Sequence, residues 1–156
     1  MFKGVHHISI SSPDRERLVA FYRDLLGFEE CTRYGWPVGS HGLDKVVGVK
    51  GSSGEAVMLK AGNAIIEIIE YLAPPPTTAD PDRLATQHGI AHICLDVSDL
   101  DGEYERLLAA GVVFHTKPRF VSHGASKITY ARDPDGNVLE FQEILDRDQP
   151  IMLDWM

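Results

Sequence analysis

Two histidines and two glutamates recur at matching places along this chain. The segment His7-Ile8-Ser9-Ile10 leads to Asp14, and the segment His92-Ile93-Cys94-Leu95 leads to Asp99 at the same offset. Each aspartate opens an amphipathic stretch that ends at a glycine, Gly27 and Gly111. Each half then closes with Gly-Asn, an apolar run and a glutamate, Gly62 to Glu67 and Gly136 to Glu140. Two imidazoles and two carboxylates form a donor set for a divalent metal of the Ni, Co, Mn, Fe or Zn kind, rather than for a closed structural zinc site.

Those four residues must be positioned by strands. From Val5 to Ser11 the residues alternate, with Ile8 and Ile10 on one side and His7 on the other. Ile93, Leu95 and Val97 set the same parity in the second half, so His92 again lies opposite. In the last strand Leu139 and Phe141 turn to the helix side, leaving Glu140 with Val138 and Gln142. In the fourth strand Ile66 and Ile68 leave Glu67 on the concave face and Glu70 on the helix side. Glu67 is therefore expected to be a ligand and Glu70 is not. All four point into one cleft if the sheets curve together. A carboxylate flanked by apolar residues is costly to bury, and a metal would remove that cost.

Other polar and aromatic residues are candidates for holding a small molecule. Tyr130 shares parity with Glu140 if no bulge intervenes. Trp36, His41 and His123 lie in segments that could line a cleft. His6 is adjacent to the ligand strand with opposite parity, while His88 and His115 are expected at the surface or in loops. Cys31 and Cys94 have no Cys-x-x-Cys spacing and no nucleophile context, which suits reduced thiols in a cytoplasmic protein.

The surrounding elements repeat. Ser12-Pro13 reads as N-cap and first residue of a helix carrying Leu18, Phe21, Tyr22, Leu25 and Leu26 on one face. Phe28 to Thr32 is a strand, and Arg33 to Gly54 is irregular with a short helix around Leu43 to Val47. Ala56 to Lys60 and Ala64 to Tyr71 are strands joined at Gly62-Asn63. In the second half a strand from Ala91 to Val97 precedes a helix from Asp99 to Ala110, with Leu100, Tyr104, Leu107 and Leu108 on its inner face. Strands follow at Val112 to Thr116, Lys127 to Arg132 and Asn137 to Ile144, the last two joined by the turn Asp133-Pro134-Asp135-Gly136. The fold class is α+β, with paired βαβββ modules forming a curved eight-stranded mixed sheet around a metal cleft. The modules span 1–72 and 88–146 and are joined by a Pro-rich linker at 73–87. The apolar tail Ile151 to Met156 predicts a surface that docks, and a homodimer.

With 156 residues, one domain of two small halves fits the length. A net charge of −8 without a basic stripe speaks against nucleic acid. No secretory leader is read at Met1-Phe2-Lys3-Gly4-Val5, and no apolar run approaches the ~20 residues that cross a bilayer.

Five stretches together resemble the vicinal oxygen chelate superfamily, which groups glyoxalases, methylmalonyl-CoA epimerase, bleomycin resistance proteins and extradiol dioxygenases. They are His7-Ile8-Ser9-Ile10, Phe21-Tyr22-Arg23-Asp24-Leu25-Leu26-Gly27-Phe28, Ile66-Glu67-Ile68, Gly89-Ile90-Ala91-His92-Ile93 and Asp133-Pro134-Asp135-Gly136-Asn137-Val138-Leu139-Glu140. In glyoxalase-like and epimerase-like members the ligand positions match His7, Glu67, His92 and Glu140. The dioxygenase triad matches only His7, His92 and Glu140, so Glu67 tips the balance toward a lyase or isomerase. The resemblance implies proton transfer by Glu140 or Glu67 on a small substrate with vicinal oxygens. An Fe(II) extradiol dioxygenase, or a ligand-binding protein of the bleomycin-resistance type, is the alternative. Epimerase-like members use a second base on the third strand, where this chain has only Glu55. A glutathione-using lyase would need cations, for which Arg15, Arg23, Arg33 and Lys60 are available.

Overall fold

Both helices that cover the sheets start on an aspartate. Asp14 caps α1 (Arg15–Val19) by accepting the Arg17 amide, and Asp99 caps α3 (Leu100–Ala109) by accepting the Gly102 amide. Such a cap contributes about 1 kcal/mol by satisfying an otherwise orphan donor. The first helix begins after Pro13 rather than at it, because Ser12 Oγ accepts the Asp14 N–H at 3.1 Å and so forms the approach to the helix instead of its cap. Beyond Val19 the helix widens into a π-helical turn, Ala20–Leu25.

The computed structural model describes residues 1–77 and 79–153; Thr78 of the expected linker, and Asp154, Trp155 and Met156 of the tail, lie outside them. The chain divides into two units, Met1–Ala79 and Asp80–Met156. In the first, β1 (His7–Ser11), β2 (Glu29–Trp36), β3 (Ser53–Ala61) and β4 (Ala64–Ala73) form a mixed sheet in the order β1-β4-β3-β2, and α2 (His41–Val47) lies between β2 and β3 in the chain. In the second, β5 (Ile93–Asp96), β6 (Arg119–Val121), β7 (Ser126–Arg132) and β8 (Val138–Ile144) repeat that order as β5-β8-β7-β6. The doubled βαβββ reading therefore holds, as two four-stranded sheets of equal topology.

Register shows why each helix packs where it does. Ile8 pairs with Ile66, Ile10 with Ile68, Leu59 with Ile66 and Val57 with Ile68, so these residues form one apolar face. α1 packs on β3 and β4 and buries Leu18 and Val19, with Phe21 and Tyr22 following in the π turn. Each such side chain contributes about 1.5–3 kcal/mol when fully buried. In the second unit Leu95 pairs with Phe141 and Ile93 with Leu139, and α3 buries Leu100, Tyr104 and Leu107. Leu108 is exposed, so the inner face of α3 is narrower than expected.

Three further differences have local causes. β2 runs on to Trp36, through residues that composition assigns to a loop, because a bulge after Glu30 lets the ladder with β3 continue. Val112 to Thr116 makes a single bridge, Phe114 to Ala131, instead of a strand; Phe114 turns inward onto Tyr104 and Phe141, and pairing resumes only at β6. Residues 81–83 belong to the second unit, held by Arg132, whose guanidinium donates to the carbonyls of Pro81, Arg83 and Gly136 at 2.6–3.0 Å.

Gly136 closes the β7–β8 turn with φ +85°, and a Cβ there would collide with the Pro81 backbone. Gly111 has φ +92° with open space around it. Gly111→Ala should cost roughly 1 kcal/mol for the left-handed backbone alone, whereas Gly136→Ala should cost clearly more. Urea denaturation of both variants checks this, and equal losses would remove the Pro81 contact as a cause.

Candidate metal centre

In the first unit, β1 and β4 set His7 and Glu67 on one face. Ser9 pairs with Glu67 and His7 with Ile65, so the imidazole stands one pleat along from the carboxylate. Nε2 of His7 lies 3.9 Å from Oε2 of Glu67. Glu67 is only 6% exposed, and its other oxygen, Oε1, accepts the hydroxyl of Tyr34. The carboxylate is thus divided, one oxygen toward a phenol and one toward an imidazole. Nδ1 of His6 lies 3.0 Å from Nδ1 of His7, so His6 contacts the other side of the His7 ring.

Tyr34 is a residue that the sequence alone did not single out. Glu30 pairs with Leu59 and Thr32 with Met58, leaving Cys31 as an extra residue in β2. A one-residue shift swaps the faces of everything after it. Without the bulge Tyr34 would face the helix; with it, Tyr34 pairs with Ala56 on the face of Met58 and Glu67. Ala56 is small enough for the phenol to lie across it. The detectable signal was the tyrosine in an otherwise strand-compatible run, obscured by its assignment to a loop.

The second unit solves the same problem more directly. Tyr130 and Glu140 are paired across β7 and β8, and Cys94 pairs with Glu140 from β5. Nε2 of His92 lies 2.9 Å from Oε2 of Glu140, which is 9% exposed. Tyr130 hydrogen-bonds Glu140, stands edge-on to the His92 ring at 5.4 Å, and is stacked by His115 at 6.4 Å. Desolvation, then the bonded carboxylate, pushes Tyr34 and Tyr130 each up to about 12, so both remain protonated donors through the neutral range. Desolvation together with the Glu140 and Asp96 charges pushes the Cys94 thiol up to about 12, which disfavours a thiolate nucleophile.

The remaining candidates fall elsewhere. Trp36 is buried and its Nε1 donates to Ser52 Oγ at 3.0 Å, so it anchors α2's flanking loop, where Asp44 also binds Ser52. His41 is exposed at the start of α2, 3.8 Å from Asp44, and His123 is exposed in a tight turn with φ 56°. Glu70 pairs with Glu55 on the helix face, and Glu55 binds Arg15 at 2.5 Å. Arg23 and Arg33 are likewise committed to carboxylates, and Arg33 with Arg23 draws Glu30 down to about 2. Lys60 is exposed at the end of β3.

Among the described residues no three His, Cys, Asp or Glu side chains gather as a metal-holding cluster; each unit brings together one imidazole and one carboxylate. The donor chemistry fits a divalent metal. Nε2 faces a carboxylate oxygen in both units, the carboxylates are buried, and a phenol fixes each in place, as outer partners of metal ligands do.

A family model described as the Glyoxalase/Bleomycin resistance protein/Dioxygenase superfamily matches residues 4–141, and the chain belongs to that superfamily. An ethylmalonyl-CoA/methylmalonyl-CoA epimerase of Cereibacter sphaeroides is 26% identical, covering 92% of this chain and 100% of the relative. A probable lactoylglutathione lyase of Synechocystis is 26% identical over 86% of this chain and 90% of its own length. A glyoxalase family protein from Bacillus cereus has the same fold, with a TM-score of 0.82 at 19% identity over 93% of this chain and 96% of that one.

The raised phenols give a signed pH dependence. A proton held more tightly in the folded state, from an ordinary value of 10.0 to about 12, stabilises fully below pH 10 and loses that contribution as pH rises toward 12. Denaturant unfolding of wild type and Tyr34→Phe should therefore differ most below pH 10 and converge above it. A constant difference from pH 8 to 12 would show that the hydroxyl does not bind Glu67.

Proposed function

We propose that this protein is a divalent-metal-dependent lyase or isomerase, in which His7, Glu67, His92 and Glu140 are the metal ligands and a glutamate transfers the proton. The observation that supports it is the same pairing in both units: an imidazole Nε2 beside a buried carboxylate that a tyrosine also binds. Relatives named as an epimerase and as a probable lyase are consistent with it. We take the substrate class, a small molecule with vicinal oxygens, from the resemblance to lyase and isomerase members of the superfamily.

A bound divalent metal would supply Lewis-acid polarisation of a substrate oxygen, which makes the neighbouring C–H more acidic. The chain's own groups then have defined tasks. Glu67 or Glu140 takes a proton from that carbon and returns it to the adjacent carbon, because a single base returning it to the same face of the same carbon would regenerate the substrate. Tyr34 and Tyr130 stay protonated and hold the carboxylates in orientation, so little rearrangement accompanies transfer. The face of β3 that carries Ala56, Met58 and Lys60 holds no carboxylate, and Glu55 is on the other face bound to Arg15. A route with a dedicated second base on that strand has no group to use, which favours one shuttling carboxylate.

His7→Ala and His92→Ala should each sharply lower binding of added Ni, Co, Mn or Zn in calorimetry while leaving the fold intact. Glu67→Gln should lose far more affinity than Glu70→Gln; the reverse order, or wild type that takes none of these metals, overturns the ligand assignment.

The reaction is tested separately, by solvent deuterium incorporation into hemithioacetal, hydroxy-carbonyl and acyl-CoA substrates, alongside oxygen-electrode traces with catechols. Deuterium uptake without O₂ consumption is expected, and it should vanish in Glu140→Gln at saturating metal. Oxygen uptake with Fe(II) and no exchange on any of these substrates would make the protein a dioxygenase.

A further inference from the structure

From Arg106 to Arg132 the sequence carries no Asp or Glu, yet five Lys or Arg and two His fall there, in a chain whose 23 acids outnumber its 15 bases. This stretch supplies the end of α3, β6 and β7 of the second unit. Most of its cations are committed. Arg106 binds Glu103 at 2.7 Å, Lys127 binds Asp101 at 2.5 Å on the helix side, and Arg132 donates to three backbone carbonyls. Arg119 differs: among the described residues its hydrogen-bond partner is the Thr116 hydroxyl, at 3.2 Å, and not a carboxylate.

Register places this guanidinium on the face of the His92–Glu140 pair. Arg119 opposes Ile128, and Ile128 and Tyr130 lie two apart on β7, so all three share a side. His115 joins them, its ring stacked on Tyr130 with an 11° angle between planes. The intervening loop is pinned: His115 N donates to Tyr130 O at 2.8 Å, and Thr129 Oγ1 donates to Thr116 O at 2.6 Å. Apart from Glu140 itself, the acid on this face in line with Arg119 is Asp96, which opposes Gln142 from the far edge. β7 and β8 stand between them, so their Cα atoms are about 14 Å apart, beyond pairing distance. The Cα of Arg119 lies about 12 Å from that of Glu140 by the same strand spacings.

We propose that the second unit contains an anion subsite, formed by Arg119 with the His115 imidazole beside it, and that the substrate of the Glu140 half-site carries a carboxylate or phosphate a few bonds from its reacting carbon. A guanidinium offers such a group two parallel donors, and Lys117 adds positive potential at the approach. The word substrate rests on the lyase or isomerase reading; the anion subsite does not.

The test is amide NMR titration of the full chain with propionate and with inorganic phosphate, using propionamide as the neutral control. One or both anions should shift the signals of residues 115–119 and of Tyr130, with propionamide silent, and the tighter of the two identifies the charged group. Arg119→Gln should weaken that binding roughly ten- to hundredfold, as expected for losing charge-assisted hydrogen bonds. Arg106→Gln, which removes the same charge from the acid-free stretch but from a Glu103 pair on α3, should leave it unchanged. No response in wild type, an equal response to propionamide, or equal losses in the two variants would overturn the subsite. Anion binding without deuterium exchange would leave the subsite standing and remove only the proposed reaction.

Discussion

A carboxylate placed among isoleucines and leucines is expensive, and much of this structure is organised around two of them. Glu67 lies between Ile66 and Ile68, and Glu140 between Leu139 and Phe141, all buried. An unpaired charge in such a place would cost several kcal/mol. The pleat must therefore turn each glutamate away from the helix-covered face, and each must meet polar partners there. In both units an imidazole and a phenol meet that requirement. Helix caps, strand order and apolar pairing all agree with this placement.

The two units reach the same chemistry by different routes. Tyr130 sits directly opposite Glu140 on the neighbouring strand, whereas Met58 occupies the corresponding place opposite Glu67. There the phenol comes from one strand further out, across Ala56. His7 is itself inside a ladder, paired with Ile65, while His92 immediately precedes β5. Topological repetition thus preserves the donor pair and leaves its support free to vary. The second unit also sets His115 and Arg119 on the same face as its pair, while the cations Arg15, Arg23 and Arg33 of the first are tied to carboxylates.

The parts of the fold that were legible in the sequence are those governed by short-range alternation. His7, Glu67, His92 and Glu140 lie on the expected faces because Ile, Leu and Phe at alternate positions leave little freedom of register. Glu70 was separable from Glu67 for the same reason. Features set by an interruption of alternation were not legible. The extra residue at Cys31 hid Tyr34, and a bridge at Phe114 in place of a strand hid the position of His115. Trp36, a cleft candidate in the sequence, proves to be a buried donor to Ser52, a contact made across a loop.

The bulge at Cys31 also bears on how a site of this kind can change. Side chains on a strand are normally exchanged one substitution at a time. Here a chain one residue shorter beyond Trp36, with Cys31 drawn into the ladder opposite Met58, could keep β2 paired with β3 and yet turn Arg33 and Gly35 toward Glu67, in place of Tyr34 and Trp36. A single insertion or deletion would then replace a whole set of wall groups at once, with the sheet order untouched. Strand length is a heritable variable of its own in such a scaffold, able to revise a binding surface without passing through intermediates that alter one contact each.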